Sequence, residues 1–506
     1  MLNVMNASKI KLSIFVPLVL GALALFLWLG RREHHHYDEF AYLYGAAHNT
    51  ISALAHGEFE ASNIPGFFNV KIGHLMLLRL LAKLFGNGMA AVQSIQAFYT
   101  VLVVATSAML VWFILLLWGD FRRALALGLL SLFAPVNVYL APKLLAEVPG
   151  VFGVMTSLLF LALALRTEYR MRSSVFLLVS ALALTYGILA RQNMLLLAVG
   201  GWVALWVACP PGLRRGEIFR VVAVVGMLTL GALFVSQVLL DLNPLRGLQV
   251  VLTVMDQSLP RREMFRRVLL AFGPLLLVSP LALASRRRQE LIFHSIWFAI
   301  GVLPILLSFH YLEVRTVVTG APAVVGLALL GVEVAWRWIG SPRHAFVRLV
   351  GIGIVAMVLA RSNRYIQPQT QYEVDASEYA TVMHWISEAY PSRPILIPWG
   401  MSDYHFLRMA YNEAPVYLAN TSVFFTPLSY ATDMASWVAA QKKWYGDRYI
   451  NDLMALERLG SPPWLFLSWQ LPGWDTGRFS WIQDNSRLRL TLVFQHGKYR
   501  VYQVDN

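Results

Sequence analysis

The sequence predicts a polytopic α-helical membrane protein with a smaller soluble α/β domain at its C-terminal end. Three observations predict it. Of the 506 residues, 57% are apolar and 14% charged, where soluble domains carry about 25% charge, and the mean hydropathy is +0.56. Eleven nearly charge-free runs approach the length of about 20 residues that a membrane-spanning helix needs. After residue 361 the composition turns polar and rich in Trp and Tyr, with no further spanning run. A soluble enzyme and a disordered chain are both excluded on these grounds.

The apolar runs fall at 12–30, 90–118, 123–141, 147–165, 174–190, 193–210, 219–240, 267–284, 291–309, 315–336 and 345–361. Arg348 inside the last must snorkel to the interface. The first run follows Lys9 and Lys11, is too long for a signal-peptide core and lacks a small-residue cleavage pattern, so it is expected to stay as a span. The formal net charge is +14. In a soluble protein that would suggest nucleic acid. Here the short connections 120–123, 166–172, 210–220, 285–290 and 337–348 each hold at least two Arg, so orientation and lipid headgroups account for the charge and no nucleic-acid partner is expected. The positive-inside rule then puts the N-terminus in the cytoplasm and the tail outside. Arg261, Arg262, Arg266 and Arg267 go against the rule, or mark a phosphate-binding face. The single cysteine, Cys209, excludes an internal disulfide.

The expected organisation is a membrane module over 1–361 and an α/β domain over 362–506. Within the module, 31–88 forms an outer loop with two interfacial helices. Phe40, Tyr44, Ala47 and Ile51 share one helical face, and Leu75, Leu78, Leu81 and Ala82 another. In the terminal domain, strands are expected at 394–399, 415–419 and 464–468, helices at 377–388 and 434–441, and a closing hairpin over 488–502.

Four polar motifs could carry chemistry. Tyr37-Asp38-Glu39-Phe40-Ala41-Tyr42 follows the first span. Adjacent carboxylates at a membrane boundary suit a general base, or start a helix whose dipole favours acids. In Lys143-Leu144-Leu145-Ala146-Glu147-Val148-Pro149, Lys143 and Glu147 are four apart and pair if the segment is helical. His310-Tyr311-Leu312-Glu313-Val314-Arg315 offers a guanidinium fork for phosphate, or an interfacial anchor. Arg191-Gln192-Asn193 breaks two spans, or is an ordinary turn. In the expected topology all four lie on the outer side.

These features together resemble the GT-C membrane glycosyltransferases, and within them the subgroup with protein mannosyltransferases and the aminoarabinose transferases that modify lipid A. The resemblance covers about residues 1–340. It rests on the acidic pair in the first outer loop, an acid heading a later span before Pro149, the Tyr311/Arg315 motif before the Pro322-containing span, and the terminal outer domain. It implies a GT-C-like fold of about eleven spans in a bacterial inner membrane, and a sugar moved from a polyprenyl-phosphate carrier to an acceptor hydroxyl on an envelope glycan, lipid or protein. It implies Asp38 as the base, with Glu39 beside it, Glu147 as the span-head acid and Arg315 on the donor phosphate. Lys143, Arg191 and Tyr311 are the other candidate donor-binding residues. The chemistry agrees. An alcohol attacks poorly until a carboxylate takes its proton, and a phosphate leaving group needs fixed cations.

No P-loop is present. Gly351-Ile352-Gly353-Ile354-Val355-Ala356 lies inside an apolar run and reads as close helix packing. His34-His35-His36 has no counterpart in the resemblance. Imidazole beside carboxylate can bind a divalent metal, but three consecutive His cannot all point one way. Trp399, Asp403, Tyr404 and His405 fit a sugar platform or a strand end packed on its neighbour. A flippase for a lipid-linked glycan is the alternative. The chain shows no matching halves to support it. A polymerase or ligase would carry its large loop between late spans, and a scaffold would not gather ionisable residues at membrane boundaries.

Overall fold

The computed structural model describes residues 16–25, 27, 34–35, 37–56, 71–240, 268–269, 271–301, 320–339, 374–398, 403–411, 413–419, 445–469 and 487–506. Helix α1 (Val16–Leu25) is apolar. Strand β1 (His34–His35) leads into α2 (Tyr37–His48), α3 (Ile51–His56) and α4 (Ile72–Phe85). The main bundle follows: α5 (Met89–Trp118), α6 (Phe121–Leu132), α7 (Pro135–Leu140), α8 (Glu147–Arg166), α9 (Arg170–Ala190), α10 (Met194–Ala208) and α11 (Arg215–Leu240). Then come α12 (Pro274–Val278), a 3-10 turn (Ser279–Ala284), α13 (Arg288–Gly301) and α14 (Ala321–Ile339). Among the described residues, four helices are long and apolar enough to cross a membrane: Met89–Trp118, Glu147–Arg166, Met171–Ala190 and Arg215–Leu240.

Two expected spans are broken. The run 123–141 becomes α6 and α7, because Pro135 lacks an N–H and forces Ala134 into extended backbone at ψ 135°. The run 267–284 is interrupted at Gly273 and continues as α12 and a 3-10 turn, each opened by a proline. The first-loop helix is also shorter than its periodicity suggests. Asn49 donates its side-chain N–H to the Gly45 carbonyl at 2.8 Å, and Thr50 Oγ accepts from the Ala53 N–H at 3.1 Å, so α2 stops and α3 starts. Ile51 therefore leaves the face of Phe40 and Tyr44 and is exposed. Helix α2 is not a two-sided interfacial helix either, since Phe40, Tyr42, Leu43, Tyr44 and Ala46 are all buried. The span 345–361, the glycine run inside it, the helix 434–441 and Arg261, Arg262, Arg266 and Arg267 lie outside the described residues.

Close helix approach organises the bundle. At Gly153 a Cβ would stand 2.8 Å from the Gly187 Cα, and at Gly187 3.0 Å from the Gly150 carbonyl oxygen. Small residues thus let α8 and α9 run antiparallel nearly backbone to backbone, joined by a three-residue turn (167–169) and a buried Ser157–Ser180 hydroxyl pair at 2.9 Å. The start of α8 then has to lie beside the end of α9. Because α8 has 20 residues, its ends stand about 30 Å apart. At the far end Arg166 donates to the Leu116 carbonyl at 3.1 Å and to the Pro211 carbonyl at 2.9 Å. Arg123 there joins Glu290 and Glu333, and Arg287 joins Asp120 at 3.8 Å. Residues from the basic connections 120–123, 166–172, 210–220 and 285–290 thus meet at this end. Cys209 caps α10 there, in left-handed backbone at φ 44°.

The C-terminal part is built on a six-stranded mixed sheet of order β5-β4-β3-β6-β8-β7. Its elements are β2 (Val374–Asp375), α15 (Ala376–Ala389), β3 (Ile395–Pro398), α16 (Asp403–Ala410), β4 (Val416–Ala419), β5 (Tyr449–Ile450), α17 (Leu453–Glu457), β6 (Trp464–Trp469), β7 (Arg489–His496) and β8 (Tyr499–Asp505). Strands β5, β4, β3 and β6 are parallel, with Ile395 opposite Val416 and Leu465. The closing hairpin is antiparallel and bulged between Leu492 and Phe494. Strand β2 is separate and pairs with β1, His34 opposite Asp375. Helix α16 leans on α2: Phe406 meets Phe40 at 4.8 Å and Tyr379 at 5.4 Å, and the Gly88 N–H donates to the Met409 carbonyl at 2.7 Å. The sheet domain therefore sits at the same end of the bundle as α2, the start of α8 and the end of α9.

Candidate active site

Among the described residues, Glu39, Lys71, His74, Lys143 and Glu147 are buried on the bundle side of that end. Arg191 joins them, partly exposed. Burying so many polar groups beside apolar helices is costly and marks a functional site by default. Each is placed by a different element. Glu39 lies in the first turn of α2, and its Oε2 accepts the Leu144 N–H at 2.9 Å. That bond holds the non-helical stretch 141–146, which Thr100 also fixes by donating to the Ala141 carbonyl at 3.1 Å. Lys143 therefore stands outside α8, with its ammonium 4.5 Å from the centre of the Tyr139 ring. The four-apart helical pairing of Lys143 with Glu147 needs a helix that begins four residues earlier than the real one. Glu147 instead pairs with Arg191, Nη2 to Oε1 at 3.1 Å. That contact follows from the glycine-lined crossing of α8 and α9.

Helix α4 brings residues that the sequence reading left out. Lys71 sits at its N-cap, and its ammonium donates to the Tyr42 hydroxyl and lies 4.5 Å from that ring's centre. No side chain caps the helix and its first turn holds no acid. The positive end of the helix dipole and a lysine thus share one place. His74 lies one turn on, its Nδ1 2.9 Å from the Tyr99 hydroxyl and its ring edge-on to Tyr42 at 5.5 Å. Burial, and next the Lys71 charge, push His74 down to about 3, so its imidazole is neutral at pH 7. Gly73 sets the depth of this helix. A Cβ there would stand 2.8 Å from the Ala190 nitrogen, one residue before Arg191. The signal in the sequence was Lys71-Ile72-Gly73-His74 at the head of an apolar helical stripe.

Asp38 lies in the first turn of α2, next to Glu39. Tyr311 and Arg315 lie outside the described residues. The helices flanking their segment end at Gly301 and begin at Ala321, and Ala321 and Pro322 line a cavity of about 20 Å³ beside Glu147. His34 and His35 are backbone partners of Asp375 and Val374. Among the described residues no group of three or more His, Cys, Asp and Glu side chains could hold a metal ion. Tyr404 and His405 belong to a helix, not a strand end. Both are buried against Tyr44 and Tyr445, which leaves them no face for a sugar. Trp399 lies outside the described residues.

The arrangement can hold an anion at the rim of an apolar bundle, with carboxylates close by and water largely kept out. No protein-family model matches the chain, and no curated protein matches it. Among solved structures it is similar to ArnT from Cupriavidus metallidurans in the apo state, with a TM-score of 0.60 and 15% identity over 98% of each chain. It is equally similar to the same protein bound to undecaprenyl phosphate, with a TM-score of 0.59 and 15% identity over 97% of each. An oligosaccharyltransferase from Archaeoglobus fulgidus matches with a TM-score of 0.49 and 11% identity, over 89% of this chain and 69% of that one. With nearly its whole length superposing on the aminoarabinose transferase, this membrane-embedded chain has the fold of the GT-C glycosyltransferases.

Proposed function

We propose that the chain is a glycosyltransferase that moves a sugar from a polyprenyl-phosphate carrier to an acceptor hydroxyl. The reaction takes place at the bundle end that carries the terminal domain. The observation that carries this reading is the buried pair of lysines at that end. Lys71 at an uncapped helix start and Lys143 beside Glu39 and Glu147 suit a phosphate held at the bilayer rim. The likeness to a fold solved with undecaprenyl phosphate supports the choice of a lipid-linked donor.

In this mechanism Asp38 takes the proton from the acceptor hydroxyl. The acceptor oxygen bonds to the anomeric carbon as the bond from that carbon to the phosphate oxygen breaks. The electron pair leaves with the polyprenyl phosphate, whose charge Lys71 and Lys143 stabilise. Arg315 and Tyr311 complete the donor site, six and ten residues before α14 begins at Ala321. Arg191 acts on Glu147 and fixes its position. Glu39 positions the 141–146 stretch through Leu144 and leaves the proton transfer to Asp38. The reaction side faces away from the cytoplasm of a bacterial cell, and the acceptor is an envelope glycan, lipid or protein.

The test compares a strain lacking the chain with strains carrying the wild type or Asp38→Asn. Envelope glycans and accumulated polyprenyl-linked sugars are analysed. Loss of the base is expected to lower transfer at least about 100-fold. Unchanged transfer at wild-type protein levels removes Asp38 from that role.

A further inference from the structure

The sequence Arg286-Arg287-Arg288 opens α13 at the end of the bundle far from Glu147. The middle arginine, though exposed, is paired with acids. Its guanidinium reaches Glu290 at 3.2 Å, Glu333 at 3.7 Å and Asp120 at 3.8 Å. Glu290 and Glu333 also neutralise Arg123, whose backbone N–H donates to Asp120. Arg286 and Arg288 are exposed, have no ion-pair partner among the described residues, and border a cleft of about 600 Å³. That volume lies in the range of small-molecule sites, about 300–1,000 Å³.

The other lining residues are mainly apolar, Leu283, Ala284, Leu291 and Ile292, with the buried Ser285 among them. Leu283 is 79% and nearby Leu277 71% exposed. In a bundle embedded in a bilayer such leucines face acyl chains. Two guanidinium groups with no acid partner among the described residues, bordering a cleft lined by leucines, match an amphiphile with a negative head. The acids that would repel it are already engaged by Arg123 and Arg287.

We propose that this cleft binds an anionic glycerophospholipid of the leaflet opposite the reaction site. The phosphate lies between Arg286 and Arg288 and an acyl chain runs along Leu283 and Ile292. The site stands independently of the proposed reaction, since none of its residues belongs to the donor site.

The test uses the full chain in nanodiscs of phosphatidylcholine with or without phosphatidylglycerol, then native mass spectrometry of the lipids retained on release. Wild type is expected to keep phosphatidylglycerol in preference to phosphatidylcholine. Arg286→Gln with Arg288→Gln is expected to lower that retention at least tenfold. Arg214→Gln with Arg215→Gln removes two other exposed charges at the same end and is expected to leave retention unchanged. Equal retention by the first double variant overturns the site, and so does an equal loss in the control pair. Displacement of the lipid by millimolar inorganic phosphate assigns the arginines to a free anion and also overturns it. If the double variant is not recovered folded, Arg288→Gln alone must lower retention about threefold, and full retention overturns the proposal.

Discussion

Lys71 is the residue whose position says most about the site. A buried ammonium at a helix start is opposed by the dipole and by desolvation, and the Tyr42 hydroxyl and ring offset only part of that cost. A bound anion would relieve it. Lys71→Met keeps the length and removes the charge. It is expected to weaken binding of polyprenyl phosphate by roughly 10–100-fold, the worth of a charge-assisted hydrogen bond, and to leave the fold at least as stable. Titration of the purified variant with the lipid phosphate checks the first, and its melting temperature without ligand checks the second. Undiminished affinity removes Lys71 from the donor site. The sequence exposed Asp38, Glu39, Lys143, Glu147 and Arg191 because acids and bases are conspicuous between apolar runs. It did not expose Lys71 or His74, since a Lys before an amphipathic helix looks like a solvated end. Only the close seat of Gly73 against Ala190 reveals that this helix is packed deep among the others.

At the scale of elements, the hairpin of α8 and α9 brings Glu147 and Arg191 together, and its tightness comes from hydrogen in place of side chains. Gly187→Leu would drive a branched side chain into the Gly150 carbonyl and the Val154 backbone. Overpacking of this kind costs about 1–3 kcal/mol. The expected outcome is a lower melting temperature together with a loss of transfer larger than that of Gly226→Leu, where a side chain would have room in α11. Equal effects of the two would mean that the crossing does not set the site. Long apolar helices were legible because composition alone specifies them. Met89–Trp118 and Glu147–Arg166 differ from the expected runs by a residue at most at either end. The strands were legible from alternation and turn residues. The break at Pro135 was visible in the letters but was outweighed by the apolar run around it. The partner of Glu147 was not legible, because it depends on where a coil ends and a helix starts.

At the scale of the whole molecule, the sheet domain and the bundle share a seam in which α16 covers α2. His405 lies inside it, packed on Tyr44 and Tyr445, and burial pushes its imidazole down to about 3 from the usual 6.5. His48 nearby is also lowered, by burial and by the Arg408 charge. The folded seam therefore binds fewer protons than the unfolded chain between these values. Stability is complete above about pH 6.5 and falls as the pH drops toward 3. At about 1.4 kcal/mol per pH unit, His405 alone accounts for roughly 2 kcal/mol by pH 5. Melting in one detergent is expected to fall between pH 7.5 and 5, and by less in His405→Phe. A pH-independent melting point would show that the seam takes up no proton-linked strain.

The two-residue ladder of His34–His35 with Val374–Asp375 has a consequence for chimeras. It ends three residues before Asp38, and α16 then closes over the same helix, so the segment that carries Asp38 takes its surroundings from chain more than 300 residues later. Grafting the tail of a relative to change acceptor preference would also disturb the backbone pairing that leads into the Asp38 helix. Productive hybrids would have to exchange the first loop and the tail as a matched pair.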